Sequence, residues 1–247
     1  MPEIADGAAR SASERREALK QVYAATQQCT RCPQLVASRN TVVFGAGNAD
    51  ARLMFVGEAP GATEDEQGLP FVGRAGKLLE TLLAEIGMSR SDVFIANTLK
   101  CRPPGNRDPQ PLEIENCREY LDRQVELIEP RVICTLGNFS TKLLRGDPSG
   151  ISRVHGHAEV ITLGARAVRL YPLYHPAAAL RTPAMLDALR ADFARIPELL
   201  ALPEPDQTRA PEHADLLVVP EFAEELGERG EPEGAVAAAP ADQLGLF

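Results

Sequence analysis

The sequence contains no run of eighteen apolar residues, so it offers no candidate for a membrane-spanning helix. Residues 1–20, MPEIADGAARSASERREALK, lack the apolar segment of a secretory leader, and a cytoplasmic location is expected. Cysteine is scarce, with five in 247 residues. In a reducing compartment such thiols read as metal ligands, redox groups or buried side chains rather than disulfides. No internal repeat is visible. GRAGKLLE contains Gly-Lys but lacks the Gly-x4-Gly-Lys-Ser/Thr order, which excludes a P-loop. An overall excess of basic charge is missing too: the net charge is −9. That excess lies wholly in residues 203–247, and residues 1–202 are balanced. A neutral body can still carry a local basic face, so nucleic-acid binding stays open.

What is present is an alternation of strands and helices. LMFVG, DVFIAN, RVICTLG and AVRLYPLY read as strands, short and mostly apolar. GKLLETLLAEIG and the stretch from Pro111 to Ile128 read as helices, as does Glu14–Thr26. Strands buried on both faces, separated by helices, predict an α/β fold: a three-layer α/β/α sandwich around a short, mainly parallel four-stranded sheet. Residues 1–14 are expected to be a flexible arm and 15–202 the folded domain. Residues 203–247, rich in Pro, Glu and Ala, read as a disordered acidic tail.

In such sheets ligands bind beyond the carboxyl ends of the strands. Three segments fall on that rim: GEAPG after the first strand, the stretch from Asn97 after the second, and His175-Pro176 after the last. The loop after the first strand, GEAPGATEDEQGLPFVG, is far longer than a chain reversal requires. It carries Glu58 at its start and Phe71 near its end.

Cys29 and Cys32 form a CxxC pair, Cys101 follows the second strand, and Cys117 lies on the next helix. Four thiolates suit zinc or an iron–sulfur cluster, and softness alone does not separate them. Four buried apolar thiols are the plainer alternative, but Thr30, Arg31 and Pro33 make a poor core segment. Cys134, inside RVICTLG, reads as a buried core thiol.

Three blocks, GEAPGATEDEQGLPFVGRAGKLLE, NTLKCRPPGNRDPQPLEIENC and YHPAAALR, together with the CxxC, resemble the family 4 (iron–sulfur) uracil-DNA glycosylases. The match spans roughly residues 18 to 200 with the blocks in the family's order. The resemblance implies a [4Fe-4S] cluster on Cys29, Cys32, Cys101 and Cys117. It also implies a monofunctional glycosylase that flips uracil from DNA and hydrolyses its N-glycosidic bond, starting base-excision repair. Glu58, Asn106 and His175 are then the catalytic candidates, the first two orienting water and the third donating to uracil O2. Gly57, Ala59, Pro60, Gly61, Phe71 and Asn97 would bind the base: backbone around it, an aromatic to stack, an amide for its edge.

Arg74, Lys77, Lys100, Arg102, Arg107 and Arg181 flank these blocks and are candidates for phosphate contacts. One departure concerns the last block, where many relatives have Ser after His-Pro and this sequence has Ala177; backbone amides would have to serve phosphate there. His155 and His157 read as surface histidines. The C-terminal QLGLF (Gln243, Leu244, Leu246, Phe247) resembles the short motif that binds the bacterial β sliding clamp, here presented on a flexible acidic leash. A monomer is expected, and the many Ala, Pro and Arg residues suggest a bacterial, nucleoid-associated protein. Two other functions compete: a clamp-recruited iron–sulfur DNA-binding module with little catalysis, and a glycosylase for another deaminated base.

Overall fold

The computed structural model describes residues 10–207. The expectations for the extreme N-terminus, the acidic tail beyond Gln207 and the QLGLF motif lie outside those residues. Among the described residues no helix is long and apolar enough to cross a membrane.

One sheet holds six strands: β1 (Ala46–Gly47), β2 (Leu53–Gly57), β3 (Phe94–Asn97), β4 (Val132–Leu136), β5 (Glu159–Leu163) and β6 (Arg166–Leu173). Their order is β1-β3-β2-β4-β6-β5. The four inner strands are parallel, as expected. The expected number of strands was four, and the sheet has two more. β1 and β5 add antiparallel edges to β3 and β6. Neither announces itself in sequence: β1 is two small residues, and β5 is only partly buried.

The helices α1 (Ala12–Gln27), α2 (Pro33–Ser38), α3 (Ala62–Gln67), α4 (Arg74–Glu85) and α5 (Pro111–Ile128) lie in the first two-thirds of the chain. They are followed by α6 (Asn138–Arg145), α7 (Ile151–Val154), α8 (Pro176–Ala179), α9 (Pro183–Ala194) and α10 (Ile196–Ala201). Side chains alternate along each inner strand between two cores. Met54, Val56, Ile133, Val168 and Leu170 pack toward α1 and α5. Leu53, Phe55, Cys134, Tyr171 and Leu173 pack toward α4, α9 and α10. Cys134 is fully buried, as its place in the strand predicts.

Two boundaries move. Helix α1 begins at Ala12 because Ser11 and Glu14 form a reciprocal capping box, so the expected arm to residue 14 is too long. The folded body also runs past residue 202. Glu204 pairs with Arg166, and Gln207 bonds the backbone of Ala167 in both directions.

Sheet order places the site. β2 leads to β3 on one side, and the chain then crosses back to lay β4 on the other side of β2. The crevice beyond the carboxyl ends of β2 and β4 is therefore the topological switch point, where open α/β sheets take ligands.

Candidate active site

Four elements deliver side chains to that crevice. β2 ends at Gly57, followed by Glu58; β3 ends at Asn97; β4 is followed by Gly137; β6 leads into His175. A Cβ on Gly57 would lie 2.4 Å from Asn97 Oδ1 and 2.7 Å from the Phe71 ring, so only glycine leaves both in place. A Cβ on Gly137 would come within 3.0 Å of His175, at a backbone φ of +92°. The rings of Phe71 and His175 stand 5.7 Å apart at 31°. Phe71, Asn97 and His175 thus share one space.

Phe71 is held in a conformation it would not choose. Its φ is +53°, and it is one of three non-glycine residues with positive φ among those described. Arg90 donates to the carbonyls of Pro70 (2.7 Å) and Phe71 (2.8 Å). Glu64 accepts from the next two amides, Val72 (3.0 Å) and Gly73 (2.9 Å). Gly76 completes the clamp, since a Cβ there would sit 1.7 Å from the Phe71 carbonyl oxygen. Asp65, fully buried, fastens the start of the loop by accepting from Asn40 and Thr41. Two of the loop's acids therefore build it. Sequence reasoning missed Glu64, Asp65, Arg90 and Gly137, for which no short-range signal exists.

Asn97 is 2% exposed, and among the described residues its Oδ1 has no hydrogen-bond partner. A buried acceptor left unpaired costs free energy, about 1–3 kcal/mol, until a donor enters. His175 accepts the Ala177 N–H at Nδ1 (3.0 Å), which leaves the proton of the neutral ring on Nε2. Burial pushes its pKa down to about 4, so the ring is neutral at physiological pH. This bond corrects one expectation: the Ala177 amide is engaged with His175 and is not free for a phosphate. Glu58 directly follows β2 and is partly buried. Burial first, and the nearby Asp108 second, push its pKa up to about 7. Asp108 was not anticipated as a neighbour of Glu58.

The other candidates divide. Ala59 and Pro60 follow Glu58, and Gly61 caps α3. Asn106 is exposed, has φ +52°, and accepts from Arg102 Nε at 2.7 Å, so its amide oxygen is turned to Arg102. Arg107 is paired two-fold with Glu113 (2.9 and 2.6 Å). Arg74, Lys77 and Arg181 are exposed. Lys100 contradicts its expectation. It is 1% exposed, and its ammonium donates to the Asn97 carbonyl (2.8 Å) and Gln124 Oε1 (2.6 Å); a phosphate cannot reach it. His155 is not a free surface group either, because it bonds Asp192 at 2.7 Å and stacks on Tyr174. His157 is exposed.

Three of the cysteines gather in a third cluster, with Cys29 at its edge. Cys101 and Cys117 are buried with Leu35, Val42 and Leu99, and Cys32 packs against them. Arg39 bridges the patch, donating to Cys101 Sγ (3.0 Å) and to the Cys29 carbonyl (2.8 Å). Asn116 donates to Cys32 Sγ at 3.5 Å. All five cysteines are free thiols. Among the described residues no three His, Cys, Asp or Glu side chains close on a point as for a single metal ion. Donors aimed at sulfur, around thiols that share one patch, fit a multinuclear group held by thiolates.

A model of the uracil DNA glycosylase superfamily matches residues 44–198, the sheet and all the rim segments. The chain belongs to that superfamily. Within it the chain stands with the type-4 branch. It is 43% identical to the type-4 uracil-DNA glycosylase of Archaeoglobus fulgidus, over 76% of this chain and 96% of the relative. Identity to the type-4 enzyme of Saccharolobus solfataricus is 46% over 71% and 83% of the two chains. For that of Thermotoga maritima it is 45% over 68% and 85%. A type-5 uracil-DNA glycosylase of Pyrobaculum aerophilum is more distant, at 32%.

Proposed function

We propose that this chain is a monofunctional uracil-DNA glycosylase that takes a flipped uracil into the switch-point crevice and hydrolyses its N-glycosidic bond. The observation that carries this reading is the buried, unpaired Asn97 Oδ1, which shares the space beside Gly57 with the Phe71 ring. A pyrimidine imide edge offers an N–H donor to that oxygen and a carbonyl acceptor to the same amide's NH2. Phe71 supplies the face on which the ring stacks.

The chemistry follows from charge. As the C1′–N1 bond breaks, positive charge grows on the sugar and negative charge on the departing base. His175 Nε2–H, fixed in direction by Ala177, donates to uracil O2, where the negative charge collects. Glu58 takes a proton from the water that adds to C1′, leaving an abasic site. The uracil anion takes its proton from solvent. Arg74, Lys77, Arg102, Arg107 and Arg181 are the phosphate contacts of this reading; Lys100 is not among them.

The four cysteines, Cys29, Cys32, Cys101 and Cys117, would hold a [4Fe-4S] cluster, which joins the CxxC segment to the CRPP loop and α5. The purified protein is expected to show broad visible absorbance with iron and inorganic sulfide in equal amounts. Stoichiometric zinc without iron would refute the cluster.

The function is tested by excision from a uracil-containing oligonucleotide, read as alkali-labile strand cleavage. Wild type should cleave at uracil, and Asn97→Ala should lower kcat/KM by about 10–100-fold, the loss of one or two buried hydrogen bonds. DNA binding without cleavage would favour the binding module. Faster release of hypoxanthine or xanthine than of uracil would favour the other deaminated bases.

A further inference from the structure

Lys100 stands between the two sites and belongs to neither as an expected ligand. Its position explains a detail of the sheet. Asn97 is the last residue of β3, and β1 pairs only with Phe94 and Ile95, so the ladder has run out when the Asn97 carbonyl is reached. The Lys100 ammonium supplies the missing donor at 2.8 Å. Gln124, fully buried on α5, receives the ammonium's second bond at 2.6 Å and donates in turn to the Phe44 carbonyl at 2.8 Å. The backbone carbonyl of Lys100 also accepts from the Val43 N–H (2.8 Å). A buried ammonium is costly unless every partner is in place. Here two of its three donors are paired, one with Gln124 and one with the backbone of the residue whose side chain faces the pocket.

We infer that Lys100 and Gln124 are positioning residues for base recognition: a buried relay from α5 through the ammonium to Asn97 that fixes the amide against Phe71 and Gly57. Neither residue touches the base. Their role rests on the uracil-excision reading above and adds to it a cause for the placement of Asn97. Because Lys100 precedes Cys101, the relay also ties the cysteine loop to the reading side chain.

The test is a double-mutant cycle in the full chain: Lys100→Met and Gln124→Met, each alone and in an Asn97→Ala background. The readouts are kcat/KM for uracil excision and inhibition by free uracil. Lys100→Met should lower kcat/KM by about 100-fold, the cost of a misplaced contact, and weaken free-uracil inhibition. Gln124→Met should lower kcat/KM by about tenfold, through loss of one bond in the network. In the Asn97→Ala background each should change the rate by less than about twofold, since the side chain they place is gone. Losses that multiply in full would overturn the relay, as would wild-type inhibition by free uracil in both variants. If Lys100→Met loses its visible absorbance or its fold, Gln124→Met decides, because among the described residues its side chain bonds Lys100 and Phe44 and no cysteine. An inactive wild type would sink the excision reading itself; an active wild type with additive losses would sink the relay alone.

Discussion

Glu58→Gln is expected to lower the plateau of uracil excision by about 10²–10⁴-fold, the range for loss of a general base, while making the protein more stable in mild alkali. Both effects come from one cause. Burial and Asp108 raise the folded-state pKa of Glu58 from 4.5 to about 7. Only the ionised form can take a proton from water, so wild-type kcat/KM should climb with pH and level off above about 7, with the Glu58→Gln rate low and lacking that limb. For stability the sign is opposite. A carboxyl whose pKa is raised by folding favours the native state below its unfolded value, and that contribution is lost as pH rises through about 7. At about pH 8 the buried carboxylate therefore costs roughly 3 kcal/mol, which the amide avoids. Urea melts of both proteins at about pH 5 and pH 8 check this: the advantage of Glu58→Gln should appear at the higher pH only. A variant equally active would remove Glu58 from the reaction, and one destabilised at both pH values would contradict the raised pKa. Asp108→Asn supplies a control, since without its charge the activity limb should move to lower pH.

How much of this was legible in the sequence depends on the distance over which each residue acts. The inner strands were readable because a parallel strand covered on both faces is nearly all apolar, as LMFV and VICTL are. The rim followed from that, because the ends of parallel strands point one way and Gly57, Asn97 and His175 sit at three of those ends. β5 was not readable, with a partly exposed edge pattern that resembles loop. Glu64, Asp65 and Arg90 were not readable either. They act on backbone groups 8 to 25 residues away, through bonds that leave no periodic trace. Lys100 shows the limit most clearly. Beside Arg102 and in a basic block it reads as a phosphate ligand, and nothing local reveals that its chain folds back onto the Asn97 carbonyl. A charge in sequence is a solvated charge by default, and only tertiary packing reverses that.

His175→Ala is expected to cut kcat by about 10²–10³-fold, the usual loss for one donor at a developing anion. It should do so without shifting the pH at which activity rises. His175 has a pKa near 4, so it is neutral on both sides of the limb set by Glu58. Its Nδ1 is occupied by the Ala177 N–H, and the only proton it can offer is on Nε2. A neutral donor aimed at uracil O2 helps most when charge has developed, so the loss should fall on kcat more than on KM. His175→Gln, which keeps an N–H donor, should recover part of the rate. The same burial predicts a stability effect with the reverse sign to Glu58. A histidine whose pKa is depressed from 6.5 to about 4 favours the fold above its unfolded value and gives up that stability as pH falls toward 4. The His175→Ala protein should therefore lose less stability than wild type between about pH 6.5 and pH 4. A His175→Ala enzyme within threefold of wild type, or one whose activity limb moves with the substitution, would place the anion's donor elsewhere in the crevice, with the Asn97 NH2 next to be tested.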